Sequence, residues 1–97
     1  MNRLEAQHRF VQRMKDNYPP GTRLVLLQMG DDPRPVEPNT RGTVSVVDNK
    51  GTLHCNFDNG RQLGLVPGED SFRRLTEREL AEELKLTESE NFGMKMQ

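Results

Sequence analysis

Between Pro19 and Leu75 the apolar residues fall in short runs, and the segments between them are rich in Gly, Pro, Asn and Asp. Short runs with period-two alternation and such boundaries read as β-strands. The pattern predicts strands over Thr22–Met29, Gly42–Asp48 and Thr52–Phe57, a fourth carrying Leu63 and Leu65, and a closing strand over Ser71–Leu75. Their connections are unequal. The first, Gly30–Arg41 (GDDPRPVEPNTR), is long and holds Pro33, Pro35 and Pro38. Asn49-Lys50-Gly51 and Asp58-Asn59-Gly60 are tight turns, and Val66–Asp70 is too short for a helix and is expected to make one 3₁₀ turn.

Helical spacing appears only outside this stretch. Leu4, Val11, Met14 and Tyr18, with Phe10 beside them, mark one face of a helix over Leu4–Asn17, which Pro19-Pro20 ends. The first strand is apolar on both faces, with Leu24 and Leu26 alternating with Val25 and Leu27. It therefore needs cover on both sides, and the N-terminal helix is the expected cover for the second. After the last strand, Thr76 and Glu79 have capping-box spacing, Leu75 and Leu80 stand at hydrophobic-staple positions, and a short C-terminal helix follows. Beyond Leu86, Phe92, Met94 and Met96 read as a frayed end or a tail used in assembly. The fold class is mainly β: a small SH3-like five-stranded barrel (19–75) between an N-terminal amphipathic helix (1–18) and a short C-terminal helix with a loose tail (76–97).

The register of one hairpin follows from the pattern. A two-residue turn at Asn59-Gly60 would set Leu63 opposite Asn56, on the face away from Phe57. A three-residue loop with Gly60 at positive φ sets Cys55 opposite Leu63 and Leu53 opposite Leu65, which gathers the apolar side chains on one face. The bulged turn is the prediction.

Composition narrows the class. With 32% apolar residues, no Trp and 30% charged residues in 97, the chain is one compact domain. A domain this small buries roughly two-thirds of its unfolded surface. The lone Cys55 excludes an internal disulfide, and no apolar run approaches the roughly 20 residues of a membrane span. The N-terminus lacks the apolar stretch of a secretory signal, so a cytoplasmic setting is expected. Net charge is −1, with a basic bias in residues 1–18 and an acidic one in 76–97. That balance argues against general DNA binding, which rests on many uncompensated Lys and Arg.

Reactive constellations are scarce. His54 and Cys55 are adjacent on a strand, leave opposite faces and cannot pair, so Cys55 reads as core and no catalytic residue is assigned. Asp31, Asp32, Asp58, Glu69 and Asp70 lie in loops. Carboxylates beside Gly or Pro bond nearby backbone N–H groups, and they are read as turn formers rather than metal ligands. No cofactor is expected. Arg23, Arg41, Arg61, Arg73 and Arg74 are the candidates for holding an acidic or phosphate-bearing ligand. The five aromatics are largely taken up by core and helix docking, which disfavours a proline-peptide groove or a base-stacking platform.

The pieces PPGTRLVLLQM, RGTV, VDNKG, HCNFDNG and LVPGEDSFRRL together resemble a small uncharacterised domain family found in phage and conjugative-element genes of Gram-positive bacteria. The resemblance covers Pro19–Leu75 and supplies no catalytic or ligand residue. It implies a mobile-element protein in a bacterial host cell. The expected function is non-enzymatic binding or inhibition of a protein partner, counter-defence included. The expected contact surface is the Gly30–Arg41 loop plus one exposed helix face, with Asp31, Asp32, Arg34, Arg41, Arg61 and Arg73 as the candidate contact residues. Truncating that loop is expected to abolish binding and leave a folded barrel. A nucleotide-signal or nucleic-acid binding module is the alternative, and a homodimer through the helices stays open; no membrane association is expected.

Overall fold

The computed structural model describes residues 2–30 and 32–85. In chain order the elements are α1 (Arg3–Asn17), β1 (Arg23–Gln28), β2 (Arg41–Val47), β3 (Leu53–Phe57), β4 (Gln62–Leu65) and β5 (Ser71–Arg74). A second helix, α2, follows over residues 77–85. Asp31 and the apolar tail residues Phe92, Met94 and Met96 lie outside the described residues.

The strands form one open antiparallel sheet in the order β4-β3-β2-β1-β5. Consecutive strands β1 to β4 are neighbours, and β5 returns to pair with the free side of β1. One face carries Leu24, Leu26, Val44, Val47, Leu53, Cys55, Phe57 and Leu65, all buried, with Val36 of the long loop packed among them. β2 passes beneath Phe57 at Gly42, where a Cβ would stand 2.8 Å from the ring. Register shifts between Val44 and Val46 and between Leu26 and Gln28 put bulges in the sheet, and bulges bend strands.

The β3–β4 hairpin has the predicted register. Cys55 pairs with Leu63 and Leu53 with Leu65. The N–H of Phe57 bonds the carbonyl of Arg61 at 2.8 Å, and Gly60 has φ 92°.

α1 starts at Asn2, whose side-chain oxygen accepts from the Glu5 N–H at 2.8 Å. Val11 is its buried residue, and Met14 and Tyr18 pack on the sheet core. The Tyr18 ring meets Phe72 edge-on at 5.7 Å. α1 thus packs on the core-bearing face of the sheet, with Phe10 and Val11 against the turn at Gly51. Contrary to the expectation from the sequence, it does not cover the second face of β1. That face is covered by α2, through ion pairs that no apolar pattern announces.

The segment 66–70 also differs from expectation. It is a β-turn rather than a 3₁₀ turn: Gly68 has φ 93°, and the Glu69 N–H bonds the Val66 carbonyl at 3.0 Å. Pro then Gly at the central positions is the composition of a type II turn, whose second central residue needs positive φ.

Candidate functional site: an arginine face beneath the C-terminal helix

Strand alternation sends Arg23 and Val25 of β1 to the face opposite the core. Arg41 of β2 and Arg73 of β5 lie on either side of Val25 in the ladders, and Thr43 lies beside Arg23. Three guanidiniums therefore ring one buried valine, 6% exposed. Helical spacing sets Glu79 and Glu83 of α2 one turn apart on one side of the helix, facing these arginines.

Arg23 is the centre of the network. It holds Asp58 with two bonds of 2.8 and 2.7 Å, Glu83 with two of 3.2 and 2.9 Å, and Thr43 Oγ1 at 3.0 Å. Arg41 reaches Glu83 at 3.0 Å and Glu79 at 3.6 Å. Arg73 grips both oxygens of Glu79, at 2.7 and 3.1 Å. Two-point arginine–carboxylate pairs are the strongest and most direction-specific of ion pairs. The Arg73 guanidinium, then the Thr76 N–H, hold the Glu79 carboxyl down to about 2. Hydrogen bonds from Arg23 lower the carboxyls of Asp58 and Glu83, and those two carboxylates raise Arg23 in turn.

Glu79 has a second task. Its Oε1 accepts from the Thr76 N–H at 2.8 Å while Thr76 Oγ1 accepts from the Glu79 N–H at 3.1 Å. The capping box read from the sequence is present, and the carboxylate that starts α2 also anchors it. Beside the network runs a groove of about 800 Å³ lined by Tyr18, Thr22, Arg23, Arg73, Leu75 and Leu80 among others.

Of the sequence-predicted contact residues, Arg41 and Arg73 meet at this face. Asp32, Arg34 and Arg61 do not; Asp32 and Arg34 lie on the long loop, and Arg61, just before β4, reaches across to it. Asp32 Oδ1 accepts from the Arg34 N–H at 2.8 Å, and Arg61 donates to the Pro35 carbonyl at 3.3 Å. The described part of the loop is tied down at several points. The Asn39 N–H bonds Leu26 at 2.7 Å, and Asp70 accepts from the Gly30 and Val66 N–H groups at 2.7 and 2.8 Å. Because Val36 is core, at 2% exposure, truncating this loop would damage the fold, contrary to the sequence expectation. Arg74 sits away from the network, exposed, and donates to the Asn17 carbonyl at 3.4 Å.

His54 and Cys55 point to opposite sides. Cys55 is buried, which pushes its thiol up to about 11, and His54 bonds Asp48 at 2.9 Å. Among the described residues no group of three His, Cys, Asp or Glu is placed to hold a metal ion, and no helix is long and apolar enough to cross a membrane.

Fold and site together define a small antiparallel β domain with a guanidinium–carboxylate face on one side of its sheet. A family described as a domain of unknown function (DUF4314) matches residues 7–75, and the chain belongs to that family. The match takes in most of α1, which the resemblance had left outside, and stops just before α2. No curated protein matches the chain.

Proposed function

We propose that this chain is a small non-enzymatic binding protein of phage or mobile-element origin, built on an SH3-like barrel and acting on a protein partner in its bacterial host. The strand order, the long first connection and the bulged β3–β4 hairpin support the SH3-like reading. The observation that carries the binding reading is the pre-anchored loop. Val36, Asn39, Arg61 and Asp70 hold its frame, while Pro33, Arg34, Pro35, Glu37 and Pro38 stay exposed. An ordered, charged, exposed loop loses little conformational freedom on binding, which leaves more of the contact energy as affinity. A partner that meets it blocks or redirects a host complex, counter-defence being the form such an inhibitor takes.

The test keeps Val36. R34E and E37K variants, checked for unchanged melting, are compared with the wild type as baits in bacterial lysate. Capture of one specific protein that both variants lose supports the reading, and equal capture overturns it. The gathering of Arg23, Arg41 and Arg73 favours a second reading, a nucleotide-signal or nucleic-acid module. A ligand that binds only the folded state raises its melting temperature, so a flat response to nucleotides, cyclic nucleotides and oligonucleotides would remove that reading.

A further inference from the structure

The arginine face is occupied by a segment that contributes little apolar burial to the fold. Leu80 and Leu84 of α2 are 37% and 65% exposed. What the helix gives the sheet is two carboxylates one turn apart, set on guanidiniums either side of Val25. The family match stops short of it, at residue 75. We infer that the face formed by Arg23, Val25, Arg41 and Arg73 is a docking site for an acidic helix of a partner protein, and that α2 occupies it in cis as a displaceable stand-in.

Charge complementarity selects the occupant. With α2 lifted away, three guanidiniums would face, among the described residues, the single carboxylate of Asp58, leaving the patch basic. Val25 lies in the middle of that patch and needs an apolar cover. The aliphatic stems of a glutamate-bearing helix supply both the charges and the cover, whereas a phosphate backbone supplies the charges alone. The surface is separate from the 32–38 loop, so the inference stands or falls independently of the binding role given to that loop.

A labelled peptide of residues 75–85 (LTERELAEELK) serves as the acidic-helix probe. It is titrated against the full chain and against an E79Q/E83Q variant, whose glutamines keep the capping box while weakening the docked state. If the cis helix is docked in ~90% of molecules, releasing it tightens probe binding about tenfold. Adding R41A to the double variant removes that gain, and R34E leaves it intact. The inference is overturned if the double variant binds no better than the wild type, or if a probe carrying E79Q and E83Q binds as well. It is also overturned if a single-stranded oligonucleotide binds the double variant more tightly than the peptide does. Should the double variant melt less cooperatively, E83Q alone, which leaves Glu79 in place, gives the same comparison. R73A, on the edge strand, can likewise replace R41A.

Discussion

Val36→Ala tests whether the long loop belongs to the fold. Val36 is 2% exposed among Leu24, Leu26, Phe57 and Leu65, and its N–H rests on the Met29 sulfur at 3.2 Å. The substitution removes two buried carbons. At ~0.8 kcal/mol each, plus a cavity that the loop closes only in part, the cost is ~1.5–3 kcal/mol. A domain of this size loses about 4–8 °C of melting temperature per kcal/mol, so the variant melts about 6–24 °C lower. Val46→Ala is the matched control, because it removes the same two carbons from a side chain that is 49% exposed. Urea titrations followed by circular dichroism report both, with the variant's midpoint lower at unchanged slope. Amide exchange at Asn39, bonded to the Leu26 carbonyl, should quicken in step. If V36A costs no more than V46A, the loop is not part of the core, and the claim that it is pre-anchored fails.

Three further outcomes are expected. Gly60→Ala, at φ 92° with nothing within 4 Å of the added Cβ, loses ~1–2 kcal/mol from backbone strain alone, whereas Gly42→Ala meets the Phe57 ring at 2.8 Å and lowers the melting temperature further. Asp48 is lowered from 3.8 to about 2, by hydrogen bonds from His54 first and then from the Thr52 and Lys50 N–H groups. Its folded value lies below the unfolded one, so its contribution is complete above about pH 4 and is lost as pH falls through about 2. Melting curves across that window should therefore be steeper in pH for the wild type than for D48N. The Cys55 thiol, pushed up to about 11 by burial, should resist alkylation at pH 8 until urea unfolds the chain, and prompt native labelling would refute its core placement.

The elements that sequence pattern placed well are those governed by neighbours in the chain. Asp58-Asn59-Gly60 and the alternation around it determine the β3–β4 register, because a shift by one residue would turn Leu63 and Leu65 away from the face that carries Phe57. Thr76 and Glu79 are three residues apart, so their box is also local. What failed was non-local. Arg23 and Glu83 meet across sixty residues of chain, and the cover of β1 was assigned to the wrong helix because apolar periodicity describes only apolar cover. A signal was present: two glutamates one turn apart in the acidic C-terminal segment, and arginines flanking the doubly apolar strand. Val36 was likewise easy to pass over, being one apolar residue among prolines and charges, whose burial depends on how the loop folds back. Arg23 was weighed as an anion ligand but left out of the predicted contact set, although the site turns on it.

The order of the sheet has a consequence for how the protein behaves in a crowded solution. An open sheet ends in two strands with unpaired backbone groups, and long flat ends recruit further chains. Here both ends, β4 and β5, are four residues long. β5 carries Arg73 and Arg74 side by side, and β4 runs into the turn that Asp70 fastens. Such brief, charged and pinned borders offer a neighbouring chain too few backbone groups to start a ladder. The domain can therefore leave its sheet unclosed without becoming a seed for fibres.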